Sequence, residues 1–402
     1  MHHIRNALPE IKAKIQAGLA KYSAELLTLG DPLTEDTASQ SNLILNIITE
    51  FTNEYRTIID GTSNDISSDE LSGGARISFV FHEIYGSAVR SMDPFDQIKD
   101  VDIRTILYNS SGSSPALFVG TAAFEVLVKQ QIRRLEDPSL KCAAMAYDEL
   151  VRILNKLLQK QIFKRFPSLK EKFYTVVINF FKKCLTPTNK LVQDIIAAEA
   201  CYVNTGHPDF LTGHKAMALV HERVNASKAP PPQPNPTDPK APRVASPALP
   251  VRDPNADIIA QANQQDGFFG SFFKQKKKPG VLENGKGVSL MQACTKPPPV
   301  LKASGNLSER EYIETEVIKL LLLSYFNLVK RTTADLVPKA IMLNLVHHTK
   351  EELQRELLAE LYKREVFDDA LKESDFTVTR RKECKKMIEA LQKADEIIAA
   401  VA

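Results

Sequence analysis

Apolar residues recur along this chain at steps of three and four, which places them on one face of a helix. Ile4, Leu8, Ile11, Ile15, Leu19, Tyr22 and Leu26 form the first such stripe, and Pro9 predicts a helix start or kink near its beginning. A second periodic run, 43–58, follows the polar stretch 30–41. Gly73 and Gly74 interrupt the pattern before another apolar stretch over 77–89. The segment opening QIKDVDIRTIL predicts a short helix, and the small turn formers of 109–115 predict an exposed loop after it. Periodicity returns through Phe124, Val128, Ile132, Leu135, Tyr147, Leu150 and Leu154, with a bend expected at Pro138. It continues over 166–220, where Pro187 and Pro208 predict breaks.

The pattern then stops. Residues 229–299 hold most of the chain's 23 prolines and few aliphatic residues, too little apolar surface to offset the entropy of ordering, so a disordered insert is predicted. A structureless span of this length fits a compact domain only as a functional loop. Beyond it, Ser308 and Glu311 form an S-x-x-E capping box, and Ile313, Val317, Leu320, Leu321, Ser324 and Leu328 trace the apolar face of the next helix. Pro338 predicts a kink in it, and 379–401 reads as a last amphipathic helix with Met387, Leu391, Ala394 and Ile398 on one side. Helices joined by short turns must pack on one another. The expected fold is therefore all-α: an elongated antiparallel four-helix-bundle stalk with a long disordered insert, in which the C-terminal helices fold back to complete the bundle. The corresponding divisions are 1–225, 226–306 and 307–402.

Composition adds exclusions. The 52 basic and 49 acidic residues of the 402 nearly cancel, so no whole-molecule field draws the chain to nucleic acid or membrane. Cys142, Cys184, Cys201, Cys294 and Cys384 lie far apart with no CxxC pair, which fits reduced thiols in a cytosolic protein. No apolar run is long enough to span a bilayer and the start carries no signal-peptide core, so a soluble protein with peripheral membrane contact is expected. No G-x-x-x-x-G-K-[ST] loop occurs, so the backbone cradle and lysine of phosphoryl transfer are missing. His347 and His348 are adjacent and on a helix point about 100° apart rather than at one metal. No catalytic, cofactor-binding or metal-binding residue is assigned.

The sharpest local signal is DGFFGSFFKQKKKPG, where Phe268, Phe269, Phe272 and Phe273 stand beside Lys274, Lys276, Lys277 and Lys278. Aromatic rings enter the interfacial zone of a bilayer while neighbouring ammonium groups attract anionic lipid, at roughly 1 kcal/mol per lysine. An anionic membrane surface is the expected partner; the alternative is a linker whose FF pairs dock a protein. APPPQPNPTDPKAPR has the PxxP spacing that an SH3-type groove accepts, and spacer function explains it as well. No folded basic face accompanies the lysines, so nucleic acid is not expected.

HHIRNALPEIKAKI, DELSGGARISFVFHE, DPFDQIKDVDIRTILYNSSG, LFVGTAAFEVLVKQQIRRLEDPSL and YVNTGHPDF closely resemble the middle domain of dynamin-related GTPases, and TEVIKLLLLSYFNLVKRTTADLVPKAIM resembles their GTPase effector domain. The blocks occur in the family's order and cover nearly all of the chain outside the insert. SMDPFDQIKD and NSSGSSPALFVG look most like the fungal vacuolar-sorting branch rather than the mitochondrial-fission branch, whose loop typically reads GPRP.

The resemblance implies a four-helix stalk that forms a crosswise homodimer and then higher helical oligomers around membrane necks. It places Gly112, Ser113 and Ser114 in a loop of the further assembly contacts; with Gly-Ser-Ser-Pro in place of Gly-Pro-Arg-Pro, the arginine's role does not carry over. Some members hold a lipid-binding pleckstrin-homology domain where this chain has only the insert. Members also begin with a GTPase domain and a bundle-signalling element of three helices, of which only the last, 379–401, is matched here, so that helix is expected to be poorly anchored. GTP and Mg belong to the parent protein, and the implied location is cytoplasmic, peripheral on endosomal, Golgi, vacuolar or peroxisomal membranes. The rival reading is a helical adaptor outside the dynamin family that recruits partners through the proline-rich segment.

Overall fold

The computed structural model describes residues 2–32, 37–63, 68–112, 120–228, 302–303 and 307–401. The predicted insert, with its Phe/Lys and proline motifs, lies outside them. Among the described residues there is no strand, and the fold is all-α. The helices are α1 (His2–Leu29), α2 (Thr37–Asp60), α3 (Gly74–Phe79), α4 (Gly86–Ser91), α5 (Asp100–Ser111), α6 (Thr121–Arg133), α7 (Glu136–Leu157) and α8 (Gln161–Arg165). They continue with α9 (Pro167–Cys201), α10 (Gly213–Lys228), α11 (Glu309–Ile341), α12 (His348–Leu361), α13 (Arg364–Ala370) and α14 (Asp375–Val401). π-helical segments at Val80–Tyr85 and Met342–His347 join α3 to α4 and α11 to α12. The chain divides into two units, one of Met1–Met92, Ile132–Cys201 and Lys330–Ala402, the other of Asp93–Gln131 and Tyr202–Val329.

The first unit is a ring of four packed helices: α2 against α7, α7 against α9, α9 against α12 and α12 against α2. Neighbours are antiparallel. Gln193 donates to Glu136 at 3.1 Å while the Tyr147 and Phe181 rings meet at 6.5 Å, so α7 and α9 run in opposite directions. Lys183–Glu356 at 2.8 Å and Lys172–Asp369 at 3.0 Å show the same of α9 and the α12–α13 segment. The core holds Phe51, Phe163 and Phe173 edge to face, with centroids 5.1–6.0 Å apart. Each such ring removes about 150–250 Å² from water, and together they anchor the end of the bundle where α7, α8 and α9 turn.

The buried register of the closing helix is unusual. Val337, Ile341, Leu345, Thr349, Leu353, Leu357 and Leu361 are all buried, at steps of four throughout. In an α-helix each such step drifts about 40° around the axis. The π segment at Met342–His347 widens one turn and takes back part of that drift. Ile77, Phe81, Tyr85 and Val89 repeat the same stepping across the other π segment. Upstream on α11 the buried face is Val317, Ile318, Leu321, Leu322, Tyr325 and Phe326, so Val317 and Leu321 lie on it while Ile313, Leu320 and Ser324 are half-buried at its margin.

Three local expectations are corrected. The break at Pro187 does not occur, because α9 runs unbroken for 35 residues, about 52 Å at 1.5 Å per residue. Pro187 and Lys183 are exposed, so the Lys183 carbonyl that loses its N–H partner faces water, while buried Cys184 and Thr188 hold the opposite side. Residues 109–111 are helical, since α5 continues to Ser111 and ends at Gly112, whose φ of 62° closes the helix. The last helix begins at Asp375, four residues before 379. Pro338, where a kink is predicted, lies within α11 four residues before the π segment begins at Met342.

In the second unit, α5 and α11 are antiparallel, tied by Lys319–Asp100 at 2.9 Å near one end and Tyr108–Glu311 near the other. The capping box forms as predicted: the Ser308 N–H donates to Glu311 Oε2 at 2.8 Å, and the Glu311 N–H donates to Ser308 Oγ at 3.3 Å. Phe124, Phe210 and Tyr325 pack at 5.4–6.1 Å. The Tyr325 hydroxyl accepts the Asn204 N–H at 2.8 Å and Ser324 Oγ accepts the Leu211 N–H at 3.0 Å. These bonds give YVNTGHPDF its role: its polar backbone caps α11 side chains while Phe210 fills the core.

Gly74 opens α3 where a Cβ would lie 1.9 Å from the Ile59 carbonyl oxygen. Gly74→Ala is expected to destabilise the first unit by about 1–3 kcal/mol, read as a lower urea midpoint. Gly213→Ala, with nothing within 4 Å of the added carbon, is expected to stay within about 0.5 kcal/mol of the parent.

Candidate functional site

The first unit carries an apolar groove of about 220 Å³ between its two π segments, lined by Ile59, Ile77, Ser78, Phe81, Met342 and Val346. Large apolar side chains of the same helical segments stand in solvent: Phe79 is 46% exposed, Leu343 61%, Met342, which lines the groove, 40%, and Leu336 39%. The cause lies in the register. Steps of four bury Val337, Ile341 and Leu345, and the same stepping leaves Leu336, Met342 and Leu343 off the core face. The sequence reading did not single these residues out, although apolar residues outside the buried register were the available signal.

The sequence-predicted assembly loop is reached only at its first residue. Gly112 closes α5 with open space around it, while Ser113 and Ser114 lie outside the described residues. Phe268, Phe269, Phe272, Phe273, Lys274, Lys276, Lys277 and Lys278 also lie outside them. Nothing in the described structure brings these two candidate sites together.

A charged cluster lies at the start of α14. Arg165 donates to Glu373 at 2.6 Å, and Arg381 donates to both Glu373 oxygens at 2.7 Å. Arg381 also donates to the Gly30 carbonyl at 2.8 Å and the Leu29 carbonyl at 3.2 Å, capping the end of α1. Both guanidiniums and the carboxylate are at least 85% removed from solvent at the side chain. Hydrogen bonds from Arg381 and then Arg165 hold the Glu373 carboxyl below its ordinary range. Next to this cluster, Glu25 accepts a bidentate pair from Arg380 at 2.5 and 3.0 Å.

Other chemistry is sparse. Among the described residues no group of His, Cys, Asp and Glu side chains is arranged to hold a metal ion, and no helix is long and apolar enough to cross a membrane. Cys142, Cys184 and Cys384 are buried free thiols, and Cys201 is free and exposed. Burial pushes the Cys142 thiol up to about 12 and the Cys184 thiol up to about 11, so neither supplies a thiolate near neutral pH.

Residues 1–219 match the dynamin central region and residues 310–401 match the dynamin GTPase effector domain. The chain belongs to the dynamin family. It is 55% identical over 403 residues to vacuolar protein sorting-associated protein 1 of Schizosaccharomyces pombe, covering all of this chain and 56% of that protein. It is 36% identical over 420 residues to the dynamin-1-like protein of Danio rerio (100% of this chain, 57% of that one). The share with dynamin-related protein 3B of Arabidopsis thaliana is 34% over 433 residues, covering 99% and 55%. The chain thus spans a little over half the length of the curated relatives it matches.

For this dynamin-family chain one expectation about the last helix is corrected. The sequence predicts a poorly anchored helix over 379–401, but the observed helix, Asp375–Val401, packs along α1, the first helix of the same chain. Leu391 reaches to 3.1 Å from the Cβ position of Gly18, Cys384 is fully buried, and Arg380 and Arg381 are tied to α1 and its end. The sequence reading assigned α1 to the bundle and so removed it as a partner. Pairing two helices covers one stripe of each, which is why Met387 at 41% and Ile397 at 64% remain exposed.

Two outcomes follow from the charged cluster. Arg381→Ala leaves Glu373 half-paired and the Leu29 and Gly30 carbonyls at the end of α1 without this donor, an expected loss of about 3 kcal/mol in urea unfolding. Because the Glu373 carboxyl is held low in the folded state, its stabilising contribution is present at neutral pH and is lost as pH falls through the folded-state value. Glu373→Gln is therefore expected to be less stable than the parent at pH 7 and to show a shallower decline when unfolding is followed down to pH 3.

Proposed function

We propose that this chain is the self-assembly stalk of a dynamin-like membrane-remodelling GTPase acting in vacuolar or endosomal protein sorting. The observation that carries self-assembly is the solvent exposure of Phe79, Leu336, Met342 and Leu343 on the π-bearing helices of a well-packed ring, with Met342 also lining an apolar groove. Burying a side chain such as Leu343 from full exposure is worth about 1.5–3 kcal/mol, so a few of them meeting their copies across a two-fold axis support a stable pair. Crosswise pairing through this face, followed by lateral contacts that include the loop at Gly112, Ser113 and Ser114, builds helical oligomers. The 55% identity to a vacuolar protein sorting-associated protein supports the sorting role over mitochondrial fission.

GTP hydrolysis with Mg belongs to the full-length protein, since the present sequence carries no phosphate loop. The stalk transmits the motion that hydrolysis drives. Membrane contact falls to the insert, through Phe268, Phe269, Phe272 and Phe273 with Lys274, Lys276, Lys277 and Lys278, and its proline-rich part offers an SH3-type ligand.

Sedimentation velocity tests the reading. The chain is expected to form dimers and larger species as concentration rises, and Met342→Asp with Leu343→Asp is expected to leave a folded monomer. A chain that stays monomeric at every concentration is a passive adaptor, and the proposal fails. For the insert, replacing the four phenylalanines with Ser is expected to reduce flotation with phosphatidylserine liposomes severalfold, and unchanged flotation removes the membrane role.

A further inference from the structure

The corner where α7, α8 and α9 meet concentrates charge of one sign. Residues 150–193 contain ten Lys and Arg but a single acidic residue, Glu171. The corner is built as a hydrogen-bonded turn: the Lys160 N–H donates to the Leu157 carbonyl, the Phe163 N–H to that of Lys160, and the Lys170 N–H to that of Phe166. Leu157, Leu158, Phe163, Phe166 and Leu169 are all buried. With these five side chains turned inward, the lysines between them are left on the outside of the turn.

Other parts of the first unit neutralise some of this charge. Lys160 is paired with Glu50 and Glu54, Arg165 with Glu373, and Lys172 with Asp369. Lys156, Lys164 and Lys170 are exposed, and among the described residues none has an ion-pair partner. They fall within 15 residues of chain around one turn. The exposed lysines of α14 differ, because Lys385 and Lys386 have Glu389 a turn away on the same helix.

We infer that this corner is a docking surface for an acidic peptide segment of a partner protein. Three exposed, unpaired ammonium groups are met by the carboxylates of an acidic segment, which in extended form spans roughly 20 Å over six residues at ~3.3 Å per residue. Tyr174, one turn beyond Lys170 and 43% exposed, offers a ring for a side chain of the same peptide. A bilayer fits less well, because among the described residues of 150–174 Tyr174 is the one large ring exposed, too little apolar surface to insert beside the charges. This surface is separate from the exposed apolar side chains proposed for self-association, and the inference does not rest on that reading.

The test is fluorescence anisotropy of a labelled peptide containing six glutamates, titrated with the full chain at low and at physiological salt. Lys156→Glu, Lys164→Glu and Lys170→Glu together are expected to weaken binding at least about ten-fold, with the helical circular dichroism unchanged. Lys382→Glu, Lys385→Glu and Lys386→Glu, which change net charge equally on α14, are expected to leave it within about two-fold. Equal loss in both variants, or no binding by the parent, overturns the proposal. So does binding by phosphatidylserine vesicles that the corner variant abolishes while peptide binding persists, which would make the surface a membrane contact. A corner variant that changes sedimentation but not peptide binding would instead assign the surface to a second copy of the chain.

Discussion

The ring of the first unit closes along one seam, the buried line from Val337 to Leu361. Three of the four helices, α2, α7 and α9, lie before residue 229, and the fourth, α12, lies after residue 301. Without that fourth helix the apolar stripes of α2 and α9 would face water, and the Tyr55 hydroxyl would lose its partner. Bringing distant segments together is not the obstacle it seems, because closure cost rises only with the logarithm of the intervening length, about 0.6 kcal/mol per doubling. A long insertion between α10 and α11 is therefore compatible with a bundle made from both ends.

A seam of Leu, Ile and Val repeated at equal steps has a weakness: sliding by one step buries almost the same surface. The single polar position removes that degeneracy. Thr349 sits within the seam, fully buried, 3.1 Å from the equally buried Tyr55 hydroxyl. In a slipped register the Tyr55 hydroxyl would be buried without this partner, at roughly 1–3 kcal/mol, while Thr349 would keep its bond to the Val346 carbonyl at 3.0 Å. Burial raises the Tyr55 pKa, so the pair stays neutral under all ordinary conditions. Tyr85, 3.0 Å from Ser139, fixes the packing of the other π segment against α7 in the same way.

Equal spacing of buried positions also explains where surface chemistry appears. Apolar residues that fall off the four-residue register, such as Leu336 and Leu343, have nowhere to go but outward, and they form exposed apolar surface. At the α7–α9 corner the reverse holds, since Leu157, Leu158, Phe163, Phe166 and Leu169 find the core and Lys156, Lys164 and Lys170 are left outside. One rule of packing thus produces both an apolar face and a charged one. The pairing of α1 with α14 leaves a third kind of surface, a two-helix element held by arginine–carboxylate contacts at one end and half-covered beyond it.

The helical class, the position of most helices, the capping box at Ser308 and the family are all legible in the order of residues alone. These depend on local periodicity, on side chains reaching three residues along the chain, and on long blocks of wording, all readable in one dimension. Only the tertiary structure decided that α9 passes through Pro187, that α1 covers α14, and that Met342 and Leu343 stand exposed. Each of these turns on what lies across from a residue. A proline is tolerated when its freed carbonyl faces water, a helix is anchored when another stripe meets its own, and an apolar side chain is free when the register turns it away from every neighbour. Periodicity states which residues share a face, but not which face another part of the chain comes to cover.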